Sequence, residues 1–349
     1  MTVSDRQNGR VRIAVLAGGR SSEHEISLAS AASVADALDP ARYDVSVIAI
    51  GRDGRWQLPT AESPALEQSV SDGAEGRETL PIPRDAAPHP LGPVDVVLPI
   101  LHGPFGEDGT VQGLLELAAI PYVGSGVTAS ALCMDKDLFK AVLRDRGIPV
   151  CRSVTLRPGD AVKHPFDYPL FVKPARLGSS VGISKVRAEA ELAAAVELAF
   201  RHDDKVLVEE LQDGVEVEVG VLGNREPVAS VVGEIVANAD WYDYAAKYDE
   251  GGMELVVPAR IAAEAAERVR ELAVASFVAT DCEGMARVDF FVRTDGEVVV
   301  NELNTIPGFT ATSVYAKLFA ASGISYTDLL DRLVSLALER HERRQLLAF

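Results

Sequence analysis

The sequence has few cysteines, no long apolar run and no polybasic segment. Its three cysteines, Cys133, Cys151 and Cys282, are widely separated and show no Cys-x-x-Cys spacing, which argues against a disulfide framework or a structural zinc site. We expect three buried thiols instead. No apolar stretch approaches the roughly 18 residues of a membrane helix, and the polar first ten residues do not resemble a signal peptide. These absences predict a cytoplasmic protein without a membrane partner.

Positive charge is also scarce. The chain has 34 Lys and Arg against 52 Asp and Glu, a net charge of −18, and no basic run longer than Arg343-Arg344. A surface that binds nucleic acid neutralises phosphates with clustered basic side chains, so a nucleic-acid partner is not expected. The 349 residues, of which 47% are apolar, are enough for two or three domains.

The first part of the chain alternates between strand-like and helix-like patterns. β-branched and apolar runs predict strands, and apolar residues at helical spacing predict the intervening helices. The predicted strands are 11–17, 45–50 and 94–100, and the predicted helices are 25–38 and 110–118. This order is typical of an open parallel sheet covered by helices. The segment 57–93 has no period of either kind and is interpreted as a long surface excursion.

The rest of the chain predicts two further modules of mixed α and β structure. One long helix is expected over 128–146, because Gly147 and Pro149 supply the usual stop signals. The other predicted helices are 189–200, 261–279, 314–321 and 326–343, and the predicted strands are 169–173, 183–186, 206–209, 216–222, 227–236 and a hairpin at 287–304. We place the domains at 1–125, 126–213 and 214–349.

The hairpin carries the strongest chemical signal. Asp295-Gly296 is the favoured dipeptide of a two-residue type I′ turn. That turn would place Asp289 opposite Glu302 and Arg287 opposite Asn304. Directly opposed like charges destabilise a sheet, so the pair implies a cation, and carboxylate and amide oxygens suit Mg²⁺ or Mn²⁺. The alternatives are a solvated edge hairpin with incidental charges, or an Arg287–Asp289 pair beside an exposed Glu302. The opposite face would carry Val288, Phe290, Val299, Asn301 and Leu303.

Three other segments could bind a nucleotide. Lys173 precedes a Gly-Ser-rich loop at 178–182, and N–H groups, hydroxyls and an ammonium suit a polyphosphate, although such loops are equally often structural turns. The acidic segment 209–216 suits a linker that binds adenine and ribose, or a solvated connection. The Gly-x-Gly-x-x-Ala pattern at 124–129 would suit a dinucleotide fold, but its preceding strand is short and comes late in the chain.

Six motifs, in order along the chain, closely resemble those of the D-alanine:D-alanine ligases, an ATP-grasp family. They are 18–27, 101–109, 134–136, 173–182, 242–248 and 301–308. The resemblance implies a three-domain ATP-grasp fold of α/β and α+β modules that binds ATP and two Mg²⁺ (or Mn²⁺) ions and forms a homodimer. It implies an ADP-forming ligase that joins two D-alanines through a D-alanyl phosphate for cell-wall peptidoglycan.

The resemblance also implies roles for individual residues. The implied metal ligands are Asp289, Glu302 and Asn304. The implied nucleotide-binding residues are Lys136, Lys173, Ser179, Glu209, Glu210, Leu211, Glu216, Lys247 and Asn301. The implied D-alanine-binding residues are Glu23, His102, Arg287, Gly308 and Ser313. Ser179 and Tyr248 join Glu23, Arg287, Gly308 and Ser313 as the catalytic set, and segment 238–252 is the implied lid.

Three alternatives remain at this point. They are another ATP-grasp ligase of a carboxylate and an amine, a D-alanine:D-lactate ligase, and a nucleotide-binding regulator without turnover. The tyrosine at 248 favours D-alanine as the acceptor, because ligases that join D-lactate usually differ there. A complete metal and phosphate set argues against a regulator. Ala316 departs from the proline that is common in the family and changes no chemical group.

Overall fold

The computed structural model describes residues 9–57, 94–237 and 253–348. These ranges contain fourteen strands in three sheets and eight helices. Most of the predicted excursion and the predicted lid, with Lys247 and Tyr248, lie outside the described residues. None of the helices in these ranges is long and apolar enough to cross a membrane.

The first sheet is the predicted open parallel sheet. Its strands are β1 (Val11–Gly18), β2 (Tyr43–Ile50), β3 (Trp56–Gln57) and β4 (Val96–Pro99), and its helices are α1 (His24–Ala37) and α2 (Thr110–Leu117). The order is β3-β2-β1-β4, with β2 and β4 parallel to β1 and the short β3 antiparallel. The sequence pattern predicted every one of these elements except β3.

The single helix predicted over 128–146 is wrong. Two helices occupy the segment, α3 (Val127–Met134) and α4 (Lys136–Asp145), and Asp135 separates them with extended backbone angles (φ −86°, ψ 96°). The Asp135 carboxylate accepts a hydrogen bond of 3.2 Å from the Leu138 N–H, which makes it the N-cap of α4. The apolar period continues across the break, so periodicity alone could not show it.

The second sheet is antiparallel and has the order β5-β8-β6-β7. Its strands are β5 (Ser153–Leu156), β6 (Leu170–Pro174), β7 (Ser184–Val186) and β8 (Val206–Glu210), and it is covered by α5 (Glu189–Phe200). The sequence did not predict β5. Phe139 and Leu143 of α4 pack in the core of the third sheet rather than here. The domain boundaries given above stay predictions.

The third sheet has the order β12-β11-β9-β13-β14, with β10 paired to β9. Its elements are β9 (Val215–Gly223), β10 (Val228–Ala229), β11 (Gly233–Ala237), β12 (Met253–Val256), β13 (Gly284–Val292), β14 (Val298–Asn304) and the helix α6 (Ala263–Ala279). The strand predicted over 227–236 is interrupted between β10 and β11. At the interruption Ser230 bonds Gly220 through its N–H and its hydroxyl, and the Val231 N–H turns to the Ser322 hydroxyl.

The hairpin of β13 and β14 pairs Asp289 with Glu302, as predicted, but for a different reason. The turn is longer than expected, because the Arg293 N–H donates to the Glu297 carbonyl across a three-residue loop. This loop shifts the register by one residue, so that Val292 pairs with Val298. A bulge that leaves Asn301 without a direct partner shifts it back before Glu302. At this bulge the Asn301 side chain reaches Lys173, whereas the alternation placed Asn301 on the hairpin face opposite Asp289 and Glu302.

The last two helices, α7 (Val314–Ala321) and α8 (Tyr326–Gln345), complete the core of the first sheet. Leu330 and Leu333 of α8 belong to the same buried cluster as Val15 of β1. The Arg340 side chain, 3% exposed, donates to the carbonyls of Tyr122, at 2.9 Å, and Gly124. The two ends of the chain are therefore packed together.

Candidate active site

The described candidate residues converge where the three sheets meet. Three contacts span long sequence separations: Ser179 with Glu23, His102 with Ile306, and Lys136 with Glu302. The first joins the loop after β6 to the start of α1, and the other two join both regions to the end of β14. A single site therefore draws side chains from all three sheets.

Two lysines define the part of the site that suits phosphate. Lys136, the first residue of α4, lies 3.2 Å from Glu302 Oε2 and donates to the Leu177 carbonyl at 3.0 Å. Lys173, on β6, donates to Asn301 Oδ1 at 3.4 Å. The Lys136 ammonium group borders the Gly-Ser-rich loop 178–182 through the Leu177 carbonyl, and Ser179 and Ser180 of that loop have left-handed backbone (φ 53° and 58°). Backbone N–H groups of a turn can bind an anion, so the loop suits a phosphate.

A buried carboxylate lies between two lysines at the end of β8. Glu209, 4% exposed, accepts from Lys173 Nζ at 2.6 Å and from Lys140 Nζ. Burial alone would raise the pKa of Glu209, but the two positive charges outweigh it and hold the pKa below its ordinary value. Lys140 is fully buried, whereas Lys173 also reaches Asn301. Lys173 is thus the lysine of the pair with a second contact, which it makes to β14.

The adenine-binding residues implied by the sequence follow Glu209 directly. Glu210 ends β8 and pairs with Arg152 at 3.3 Å, and Leu211 begins the connection to β9. Glu216 lies on β9, two residues before Glu218 and therefore on the same face of the strand. The structure places these residues beside the Lys173 region and shows no more about their individual roles.

The hairpin face carries an arginine fixed between acidic side chains. Arg287 makes two 2.7 Å hydrogen bonds to Asp289, which is 3% exposed, and one ion pair of 3.0 Å to Glu218. Burial opposes the charge of Arg287, but Asp289 and Glu218 outweigh it and raise its pKa further. Asn304 donates to Asp289 Oδ2 at 3.1 Å. The guanidinium is therefore fully charged and held in one orientation.

The same face fits a divalent cation that is bound together with phosphate. Asp289, Glu302 and Asn304 supply carboxylate and amide oxygens, and the cations that now compensate them are Arg287 and Lys136. In the described ranges no three His, Cys, Asp or Glu side chains cluster as a metal site. Two carboxylates and an amide leave coordination positions open for phosphate oxygens and water, which is how proteins usually hold Mg²⁺.

A carboxylate pocket lies at the start of α1. Glu23, 8% exposed, accepts a hydrogen bond from the Ser179 hydroxyl, and its own N–H donates to Ser21 Oγ at 3.1 Å. Gly103 and Gly178 border the carboxylate closely, since a Cβ on Gly103 would lie 2.8 Å from Glu23 Oε2 and one on Gly178 3.5 Å from it. A side chain at either glycine would therefore crowd the Glu23 carboxylate.

His102 lies next to this pocket and is 4% exposed. Its Nδ1 is 3.0 Å from the Ile306 carbonyl, and its Nε2 is 3.3 Å from Ser30 Oγ. The carbonyl requires the proton on Nδ1, so Nε2 accepts from the serine in the neutral ring. Burial lowers the pKa of His102, and it outweighs the opposite effect of Glu23. The imidazole is therefore neutral at pH 7.

Glu107 belongs to this site and was missed in the sequence. Its carboxylate accepts from the Gly103 N–H at 2.7 Å and from the Ile306 N–H at 3.2 Å. Burial and the Glu23 charge raise the pKa of Glu107 to about 8, against the effect of the two N–H donors. The side chain therefore joins the loop after β4 to the loop after β14.

Gly308 and Ser313 lie together beyond β14. A Cβ on Gly308 would stand 3.5 Å from Ser313 Oγ. Ser313 occupies the N-cap position of α7, but its hydroxyl does not cap the helix and instead accepts from the Thr310 N–H at 2.9 Å. The hydroxyl is thus turned toward the glycine rather than along the helix.

Other charged residues that the sequence analysis missed surround the site. They are Lys140, Glu218, Lys205 and Asp135. The alternation of Glu216 and Glu218 on β9 is a signal that could have found Glu218. No local pattern could have found the two lysines, because their carboxylate partners lie 69 and 70 residues away in the sequence.

Comparison with known proteins decides the family. A model described as "D-ala D-ala ligase N-terminus" matches residues 12–125, and one described as "D-ala D-ala ligase C-terminus" matches residues 142–335. The chain belongs to the D-alanine–D-alanine ligase family. It therefore has the ATP-grasp fold of that family, as the six motifs implied, and the members are ADP-forming carbon–nitrogen ligases.

Individual relatives cover nearly the whole chain. The D-alanine–D-alanine ligase of Deinococcus radiodurans is 52% identical over 94% of this chain and 98% of its own length. The ligase structure from Coxiella burnetii has a TM-score of 0.82 and 39% identity, with 96% of each chain covered. The structure of the VanG D-Ala:D-Ser ligase from Enterococcus faecalis has a TM-score of 0.79 and 40% sequence identity, with 94% of this chain and 99% of that chain covered. The structure of the Bacillus anthracis ligase complexed with ATP has a TM-score of 0.74 and 29% sequence identity, with 96% of this chain and 99% of that chain covered.

Proposed function

We propose that this protein joins two D-alanines into D-alanyl-D-alanine, with conversion of ATP to ADP and phosphate, for peptidoglycan synthesis. The observation that carries the proposal is the contact between Ser179 and Glu23 beside the Lys136–Glu302 pair. It joins a pocket for an ammonium group to a site for phosphate. Family membership over nearly the full length supports the same activity.

The first half of the reaction is phosphoryl transfer. Glu23 would pair with the ammonium group of the first D-alanine, and Lys136 and Lys173 would hold the ATP phosphates. The D-alanine carboxylate then attacks the γ-phosphorus, the bond to ADP breaks, and D-alanyl phosphate forms. Positioning and neutralised charge account for most of the catalysis of such a transfer. Mg²⁺ held by Asp289, Glu302 and Asn304 would supply further positive charge at the phosphates.

The second half is amide formation. The amino group of the second D-alanine attacks the carbonyl of D-alanyl phosphate, loses a proton, and expels phosphate. Negative charge develops on the carbonyl oxygen, and the fixed guanidinium of Arg287 and the Gly308 N–H are the donors available to it. Ser313, turned toward Gly308, would bind the carboxylate of the second D-alanine. The tight Arg287–Asp289 contact keeps the donor in place before the charge appears.

Phosphate release with defined amino acids tests the activity. The purified protein is given ATP, Mg²⁺ and either D-alanine, L-alanine or no amino acid, and the product is identified by mass. We expect phosphate release only with D-alanine, together with D-alanyl-D-alanine. Release that does not depend on D-alanine would overturn the proposal.

A competing acceptor is the second candidate, because a D-Ala:D-Ser ligase is similar to the chain at 40% identity and a TM-score of 0.79. Mixtures of D-alanine with D-serine or with D-lactate measure the choice of acceptor. We expect D-alanyl-D-alanine to dominate in both mixtures. A dominant mixed product would reassign the acceptor and leave the phosphoryl transfer in place.

The acidic pair tests the assignment of the cation. Glu302→Gln removes one negative charge at nearly constant volume, and we expect turnover to fall by about a hundredfold or more, with a raised Mg²⁺ requirement. Glu297→Gln, on the exposed loop of the same hairpin, is the matched control and should keep wild-type turnover. Full activity of Glu302→Gln would remove Glu302 from the metal site. The homodimer and the cytoplasmic location stay predictions of the sequence.

A further inference from the structure

The helix break at Asp135 brings Lys136 to the phosphate side of the site. The Lys136 N–H donates to the Ala175 carbonyl at 3.0 Å, and its ammonium group reaches the Leu177 carbonyl and Glu302. A continuous helix, as the sequence pattern predicted, would leave the Lys136 N–H bonded within the helix and unable to reach Ala175. The position of Lys136 therefore depends on what keeps the helix broken.

Lys205 holds the break from the opposite side. Its ammonium group, on a residue 4% exposed, lies 2.7 and 2.9 Å from the two oxygens of Asp135 and 3.3 Å from Asp137 Oδ2. Asp135 is itself 6% exposed, so each charge is the buried partner of the other. Removing Lys205 leaves the buried Asp135 charge without its ion-pair partner, and removing Asp135 leaves Lys205 with Asp137 alone.

The backbone of Lys205 also helps to hold the helix break at Asp135. Its carbonyl accepts from the Ala175 N–H at 2.9 Å, and the Ala175 carbonyl accepts from the Lys136 N–H. The side chain of Lys205 fixes the residue before Lys136, and its backbone fixes the residue to which Lys136 bonds. Two independent sets of contacts thus connect the start of β8 to one phosphate-binding lysine.

We propose that Lys205 is a positioning residue for ATP, which acts through Asp135 and Ala175 to hold Lys136 against the phosphates. Lys205 does not touch the nucleotide itself, because its three donor contacts are all made to Asp135 and Asp137 in the interior. The inference rests on the proposed function, since the phosphate contact of Lys136 belongs to it.

Binding of ATP and of adenosine to Lys205→Met separates positioning from general damage. Adenosine lacks the phosphates. Loss of Lys136 positioning should therefore lower the affinity for ATP by about tenfold and leave the affinity for adenosine unchanged. Damage to β8 would also displace Glu209 and weaken both ligands. Lys163→Met, at an exposed lysine of the same region, should match the wild type for both. Equal weakening of ATP and adenosine would reduce Lys205 to a structural role and overturn the inference.

Lys136→Met and the double variant separate the proposed phosphate contact of Lys136 from the proposed positioning role of Lys205. If Lys136→Met leaves ATP affinity unchanged, the proposed phosphate role of Lys136 fails. If Lys136→Met weakens ATP but Lys205→Met does not, or if the two effects multiply in the double variant, the inference about Lys205 fails alone. We expect the double variant to bind ATP no more weakly than Lys136→Met, because Lys205 acts only through Lys136.

Asp135→Asn tests the same inference if Lys205→Met does not fold. Asparagine caps a helix as well as aspartate does, so α4 should still begin at the same residue, while the ion pair with Lys205 is lost. We expect the same selective loss of ATP affinity, smaller in size. Lys205→Arg, which keeps the positive charge, should restore part of the affinity lost in Lys205→Met. Wild-type ATP affinity in Asp135→Asn would overturn the inference.

Discussion

At the scale of single residues, the site is built from charges that compensate one another before any ligand arrives. Lys136 faces Glu302, Lys173 and Lys140 share Glu209, and Arg287 is fixed between Glu218 and Asp289. Buried charges are tolerated only when paired. Under the proposed function, each pair that ATP and its cation separate would find a replacement partner in the ligand, and binding would exchange one ion-pair partner for another.

Glu107 gives a pH dependence with a definite sign. Its pKa is raised to about 8 in the folded protein, against an ordinary value of 4.5 that applies on unfolding. The folded state therefore keeps a proton that the unfolded chain has already released, and stability present below pH 4.5 is lost as the pH rises toward 8. Between pH 5 and 8 we expect the wild type to lose about 1–3 kcal/mol relative to Glu107→Gln, allowing for partial solvent screening.

Chemical denaturation at several pH values measures this difference. The free energy of unfolding of each protein is compared at pH 5, 6, 7 and 8, and only the change in their difference matters. Glu297→Gln, an exposed glutamate, controls for the general effect of removing one negative charge. Parallel curves for the wild type and Glu107→Gln would contradict the raised pKa.

At the scale of elements, the connection between β8 and β9 lies close against the end of β13. Gly214 has φ +123°, and a Cβ there would stand 2.8 Å from Arg293 Cα and closer still to the Val292 carbonyl. Gly214→Ala should therefore cost about 2–4 kcal/mol of stability through strain and overlap. Gly159→Ala has a similar φ of +94° with no described atom within 4 Å of the new Cβ, and should cost about 1 kcal/mol.

Thermal or urea unfolding of the two glycine variants tests the close approach. Both substitutions carry a cost for positive φ, so the larger loss in Gly214→Ala combines its more positive φ with the contact with the hairpin. Equal losses of stability would mean that the strands lie farther apart than the structure shows.

The same elements show how far the sequence could predict this fold. Periodicity located the first sheet and most helices, because each of those elements buries one face and repeats its apolar residues accordingly. It missed the break at Asp135, since capping by a single side chain leaves the apolar period intact. The Asp289–Glu302 pairing was predicted correctly from a turn that the protein does not have, because the Asn301 bulge compensates for the longer loop. The register of a hairpin can be predicted only when both the turn and any bulge are known.

The candidate site was predictable to a different degree. Residues within motifs, such as Lys173 and Asp289, follow from local patterns and from the family resemblance. Lys140 and Lys205 depend on partners that only the tertiary fold brings near, and Glu107, although it lies within the motif 101–109, bonds the distant Ile306 N–H. The roles of these charged side chains therefore cannot be predicted from the sequence alone.

At the scale of the whole molecule, the three cysteines report on the integrity of the core. Cys133, Cys151 and Cys282 are free and at most 4% exposed, as expected from the sequence. Burial raises the pKa of Cys151 to about 12, so its reactive thiolate is rare at neutral pH. A disulfide reagent such as dithionitrobenzoate should label almost no thiol in the native protein and three thiols in denaturant.

Rates of labelling make this a test of packing. Labelling of native protein should be limited by unfolding and should slow further when ATP and Mg²⁺ are bound. One thiol that reacts at the rate of a free cysteine, with the fold intact by circular dichroism, would contradict the buried positions.

The shared core of the two chain ends has a consequence for synthesis on the ribosome. The first sheet is made early, yet Leu330 and Leu333, which complete its core, leave the exit tunnel long after β1. Until then the nascent sheet exposes the apolar face that α8 later covers. Translation that stops before α8 should therefore yield a product that binds chaperones or aggregates, however complete its active-site sequence is.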